Sequence, residues 1–236
     1  MAETFPGLLG VTDIAAADLE ADGVLDLILM SGKEGVIAKS HFEDGRITFP
    51  ETILLKPDGS EFAAVDVLNS GDKAQIIVAL TTGSGSSSKL TFQRLIRNDT
   101  GEWQPAKDAQ KIELAGAVGS RGLRLVRMDA NGDGRMDLLS IPTGTSKAGV
   151  QVLLQKDDGS LEVAQDKTRL DLGVSAAGRT FVHKDRLFVA RDSFARSMSF
   201  GDDGWKVEDQ FNAGEKSASL EGVAVLDLDQ QPGEEI

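Results

Sequence analysis

The segment DANGDGRMDLLSI, residues 129–141, places Asp129, Asn131, Asp133 and Asp137 within nine positions and then turns apolar. Oxygen-bearing side chains at alternate positions, with Gly134 where the chain must bend, suit a hard divalent cation such as calcium. Arg135 stands at the seventh position, where only its backbone carbonyl could ligate. The spacing excludes an EF-hand, whose twelfth position is Glu; here it is Ser140, inside a predicted strand. The alternative is a solvated acidic turn held by local Asx-type hydrogen bonds.

The motif recurs. DLEADGVLDLILM, residues 18–30, aligns in register. It offers Asp18, Glu20, Asp22, the Val24 carbonyl and Asp26 as a second ligand set, with Glu20 longer than the Asp or Asn such a position prefers. DVLNSGDKAQIIVAL, residues 66–80, keeps Asp66 and a glycine, but its Leu68 and Ala74 cannot supply side-chain ligands. DLDQQPGEEI, residues 227–236, leaves Asp227, Asp229 and Glu235 as weaker metal candidates, with Gln231 and Pro232 between them. FVHKDRLFVARD, residues 181–192, reads as a copy with the acidic loop deleted. The starts at 18, 66, 129 and 227 imply a period of about 52 residues, near the roughly 40–50 of β-propeller blades.

A second landmark keeps the same beat. FEDGRITF, RNDTGEWQ, QKDDGSLEV and FGDDGWKVE each set Asp or Thr before Gly between strand-like runs, a short hairpin signal. Within a period the short Val/Ile/Leu-rich runs read as four strands, near 12–19, 24–31, 35–42 and 46–55 in the first. No segment reads as an amphipathic helix, and TTGSGSSSKL (81–90) reads as a flexible Gly/Ser-rich loop. Four strands per period, with acidic loops between the first two, predict an all-β chain of stacked four-stranded blades, a β-propeller. A β-sandwich with calcium loops is the alternative. The units fall at 8–57, 61–115, 120–172, 177–216 and a partial 218–236 within one propeller region spanning 1–236.

The three acidic segments DANGDGRMDLL, DLEADGVLDLIL and DLDQQPGEEI resemble the calcium loop of FG-GAP or VCBS repeats, the integrin-α-like propeller repeats. That pattern runs Asp-x-Asn/Asp-x-Asp-Gly-x-x-Asp-Leu between the first two strands of a blade. The resemblance implies a ring of usually seven blades with Ca²⁺ in loops on one face. About four blades and a beginning fit here, so a fragment of a larger chain is expected.

Composition narrows the partners. With 25 basic and 38 acidic residues the net charge is −13, a surface that repels nucleic acid and anionic membrane and attracts cations. There is no cysteine, so disulfides, zinc thiolates and thiol catalysis are excluded. The N-terminus has no signal-peptide pattern and no run approaches the ~18 apolar residues of a membrane span. His41 and His183 read as surface or turn residues rather than catalytic ones, and no motif singles out a carboxylate pair. The resemblance therefore implies a non-enzymatic binding or adhesion module with a protein or glycan ligand. The expected setting is extracellular, periplasmic or the cell surface, where millimolar calcium fills weak loops. A propeller domain of a polysaccharide-acting enzyme, and a lectin using Trp103 and Trp205 as stacking platforms, are the competing expectations.

Overall fold

A computed structural model describes residues 8–43, 45–70, 73–83, 89–106, 123–142, 149–164, 170, 179–215 and 219–225. Among these the chain is all-β, with four antiparallel sheets and no α-helix. The first sheet orders β1 (Val11–Ala17), β2 (Asp26–Ser31), β3 (Val36–Glu43) and the two-residue β4 (Arg46–Ile47), with β5 (Glu51–Leu55) also paired to β3. The second orders β6 (Ser60–Ser70), β7 (Lys73–Thr82), β8 (Lys89–Arg97) and β9 (Trp103–Pro105). The third orders β10 (Leu123–Met128), β11 (Asp137–Pro142), β12 (Gln151–Gln155) and β13 (Leu161–Val163). The fourth orders β14 (Thr180–His183), β15 (Arg186–Ala190), β16 (Phe194–Gly201) and β17 (Gly204–Asn212). The ordered strands of each sheet thus follow the chain, β5 aside, and a tight turn joins the third strand to the fourth.

Those turns have a local cause. Gly45, Gly101, Gly159 and Gly204 all sit at positive φ, between 76° and 91°. An L side chain adopts that region only with strain, so glycine there sets the bend and fixes the register of the flanking strands.

Two compact units emerge, one of residues 1–125 with 156–161 and one of 126–155 with 162–236. In the first, Ala15, Ile28, Met30 and Ile37 of one sheet pack with Val65, Ile76, Val78 and Leu95 of the next. In the second, Met128, Leu139, Ile141 and Val152 pack with Leu187, Val189 and Met198. Burying one such side chain stabilises by roughly 1.5–3 kcal/mol. The second strand of each sheet is buried along most of its length. In β7 the run from Gln75 to Leu80 is buried without interruption, which is why it reads as a continuous apolar stretch rather than an alternation.

One sequence alignment does not survive as a loop. The third copy, 66–74, is a direct hairpin in which pairing continues from Asp66↔Ile77 to Ser70↔Lys73. Asp66 is a buried residue in mid-strand, and its carboxylate accepts from the Val67 amide at 2.8 Å. Without ligand residues to line a loop, the backbone pairs instead.

Candidate functional site

The segments 18–26 and 129–137 both connect the first strand of a sheet to the second. Their backbones are built alike. Asp18 accepts from the amides of Asp22 (3.1 Å) and Gly23 (2.8 Å). Asp129 accepts from the amides of Asp133 (3.1 Å) and Gly134 (3.0 Å), and also of Gly132 (2.9 Å). Asp22 accepts from the Val24 amide at 2.8 Å, and Asp133 from that of Arg135 at 2.9 Å. Asp26 reaches back to the Leu19 amide at 3.1 Å, and Asp137 to that of Ala130 at 2.9 Å. The left-handed positions also coincide: Ala21 (φ 57°) with Gly132 (74°), and Gly23 with Gly134, both at 84°. The first, fifth and ninth side chains therefore converge on the loop's own amides in both copies.

The closing aspartates are the buried ones, Asp26 at 2% exposure and Asp137 at 0%. Asp137 also accepts from the Gln155 amide of β12 at 2.7 Å, which ties the loop to the sheet. Burial pushes its carboxyl pKa up, and the charge of Asp133 adds to this, while the amides of Gln155 and Ala130 pull it down. For Asp133 desolvation also acts upward, but the Arg135 amide, the Asn131 side chain and the Arg135 charge outweigh it and hold the carboxyl below the usual range.

The surroundings of the two loops differ. Asn131 donates from Nδ2 to Asp133 Oδ2 at 2.9 Å, and Arg135 reaches the same oxygen at 2.5 Å while also donating to the Gln155 carbonyl at 3.1 Å. In the first loop Glu20 is held by Lys39 Nζ at 2.5 Å and by the Arg97 guanidinium, and Lys39 also stands 3.4 Å from Asp26 Oδ1. Sequence reading missed Lys39 and Arg97. Their role depends on strand register and on a contact across 77 residues, neither of which a motif displays. Among the described residues, no group of three or more His, Asp or Glu side chains is gathered tightly enough to hold a metal ion as the side chains stand. The carboxylates are turned onto amides and onto Lys39 or Arg135. For 129–137 the donor chemistry still fits a hard cation: each carboxylate keeps further lone pairs, and Asn131 needs only to present its oxygen. Asp227, Asp229 and Glu235 lie outside the described residues, as do residues 84–88 of the Gly/Ser loop.

The other candidates resolve into packing. Trp103 is half-buried against the first core, with the Arg97 guanidinium over its ring at 5.1 Å. Trp205 is half-buried against the second, edge-on to Phe200 at 5.3 Å. His41 bonds Thr48 at 3.2 Å, and His183 ends β14. A recess of about 540 Å³ in the first unit was not anticipated. Its lining includes Glu20, Lys73, Arg97 and Asp158, with buried Gln75 and Arg94 joined at 3.2 Å. Among the described residues no helix is long and apolar enough to cross a membrane. Comparison with known protein families and with curated proteins finds no match.

Proposed function

We propose that this chain is a calcium-stabilised, non-enzymatic binding module of FG-GAP/VCBS-like propeller type, belonging to an exported or surface protein. The observation that carries the reading is the duplicated loop. Two segments 111 residues apart share four carboxylate-to-amide contacts and two left-handed positions, each ahead of the buried second strand of a sheet. Asp129, Asn131, Asp133 and Asp137 would hold Ca²⁺ with side-chain oxygens and Arg135 with its carbonyl. The ion would neutralise mutually repelling carboxylates and stiffen the first hairpin of the sheet. Arg135 would then swing off Asp133. The ligand of such a module would be a protein or a glycan.

Calorimetric titration with calcium, paired with thermal melts in calcium and in chelator, tests this. Loops of this class in extracellular modules bind with Kd on the order of 10⁻⁴–10⁻³ M. At a hundredfold excess over Kd the ion should stabilise by about 2.7 kcal/mol, or roughly 5–10 °C for a chain of this size. Asp133→Asn, which keeps the shape and removes the charge, should abolish both heat and shift at that loop. Absence of heat in the wild type would leave only solvated acidic turns.

A further inference from the structure

We infer that Lys39 is a built-in counter-ion that closes the 18–26 loop to divalent metal, so that of the two matched loops only 129–137 takes a cation. This rests on the reading of the loop pattern as a cation site.

The argument is one of register. Lys39 lies opposite Ile28 on β3, and Ile28 is two residues beyond Asp26. In the second unit Val152 lies opposite Leu139, two residues beyond Asp137. Lys39 and Val152 are therefore the same position of the repeat. In one copy it places an ammonium between Glu20 (2.5 Å) and Asp26 (3.4 Å), the third and ninth loop residues. In the other it is an aliphatic side chain buried in the core.

The Lys39 side chain is only 16% exposed and Asp26 only 3%, so the charge is held inside the loop's base rather than waving in solvent. A compact ammonium with three donors can satisfy two carboxylates at once. A divalent ion entering there would meet a fixed positive charge about 4 Å or less from its ligands, where repulsion is strong. The third loop position follows the same division. Glu20 is long enough to reach both Lys39 and the Arg97 guanidinium. Asn131, its counterpart, is short and stays within its own loop, bonding Asp133. Arg135 binds the fifth loop residue, Asp133, while the ninth, Asp137, accepts from the amides of Ala130 and Gln155.

Calcium calorimetry on four proteins decides the matter: wild type, Glu20→Asn/Lys39→Met, and each combined with Asp133→Asn. The wild type should bind one ion and lose it with Asp133→Asn. The double variant, carrying the second loop's asparagine and an uncharged stem, should bind two and keep one with Asp133→Asn. Two ions in the wild type, or no gain in the double variant, overturns the inference. No ion in the wild type but one in the double variant upholds Lys39 as the charge that closes 18–26, and overturns the part of the inference that gives 129–137 a cation. Circular dichroism in chelator checks the fold. Should the double variant not fold, Lys39→Gln is titrated in its place, with a gained ion supporting the inference and no gain overturning it.

Discussion

Asp13 shows how a single carboxylate can work against the fold that holds it. Its two oxygens accept from the amides of Ile14 and Val65, each at 3.0 Å, and so pin β1 to β6. Burial nevertheless pushes its pKa up, more than those amides and the charge of Arg124 pull it down. A carboxyl with a folded pKa above its unfolded value of ~3.9 binds protons more tightly in the native state. Its contribution to stability is fully present below that unfolded value and is lost as pH rises through the folded one. The stability of wild type relative to Asp13→Asn should therefore fall as pH rises above about 4. Urea unfolding of both proteins from pH 4 to 7 measures this; a difference that grows with pH contradicts it.

Elements carry the next level of information, and here the two loops can be read against each other. Ala21 occupies at φ 57° the position that Gly132 fills at 74°. A left-handed residue with a Cβ costs roughly 1–2 kcal/mol, while glycine adds about 0.4–1 kcal/mol of unfolded-state entropy. Ala21→Gly should thus stabilise by about 0.5–1 kcal/mol, and Gly132→Ala should destabilise by a similar amount. A Cβ at Gly132 meets nothing within 4 Å, so that loss is backbone strain alone. Chemical denaturation of the two variants in chelator checks both signs. The strands and hairpins were legible in the sequence because their causes are local. An Asp-Gly or Thr-Gly pair sets a turn, and apolar alternation sets a face. The worn copy at 66–74, whose Leu68 and Ala74 offer no side-chain ligands, folds as a direct hairpin in place of an acidic loop. Pairing through Ser70↔Lys73 leaves no loop there to line. Lys39 and Arg97 were illegible because a charge at a strand position declares its partner only once register and sheet neighbours are known.

At the scale of the whole molecule, charge dominates. A net charge of −13 makes the folded chain repel itself. That repulsion is screened over ~30 Å at 0.01 M salt and over ~10 Å at 0.1 M. In chelator, raising sodium chloride from about 10 mM to 300 mM should raise the melting temperature. A scan at fixed pH measures it, and an unchanged or lowered midpoint would show that the carboxylates are already neutralised by their local partners. Comparisons of calcium with its absence therefore belong at matched ionic strength. The resemblance to ring-forming repeats came from period and loop pattern. Those features act within a repeat; the four antiparallel sheets are compatible with a propeller-like fold.

The stacking of Arg97 on Trp103 has an optical consequence. The chain has two tryptophans and no tyrosine, so its ultraviolet emission comes from one indole in each compact unit. Arg97 bridges Trp103 to Glu20, and through Glu20 to Lys39. Trp205 packs on Phe200 within its own unit. A Trp205→Phe protein would thus carry a lamp wired to the 18–26 loop, and a Trp103→Phe protein one blind to it.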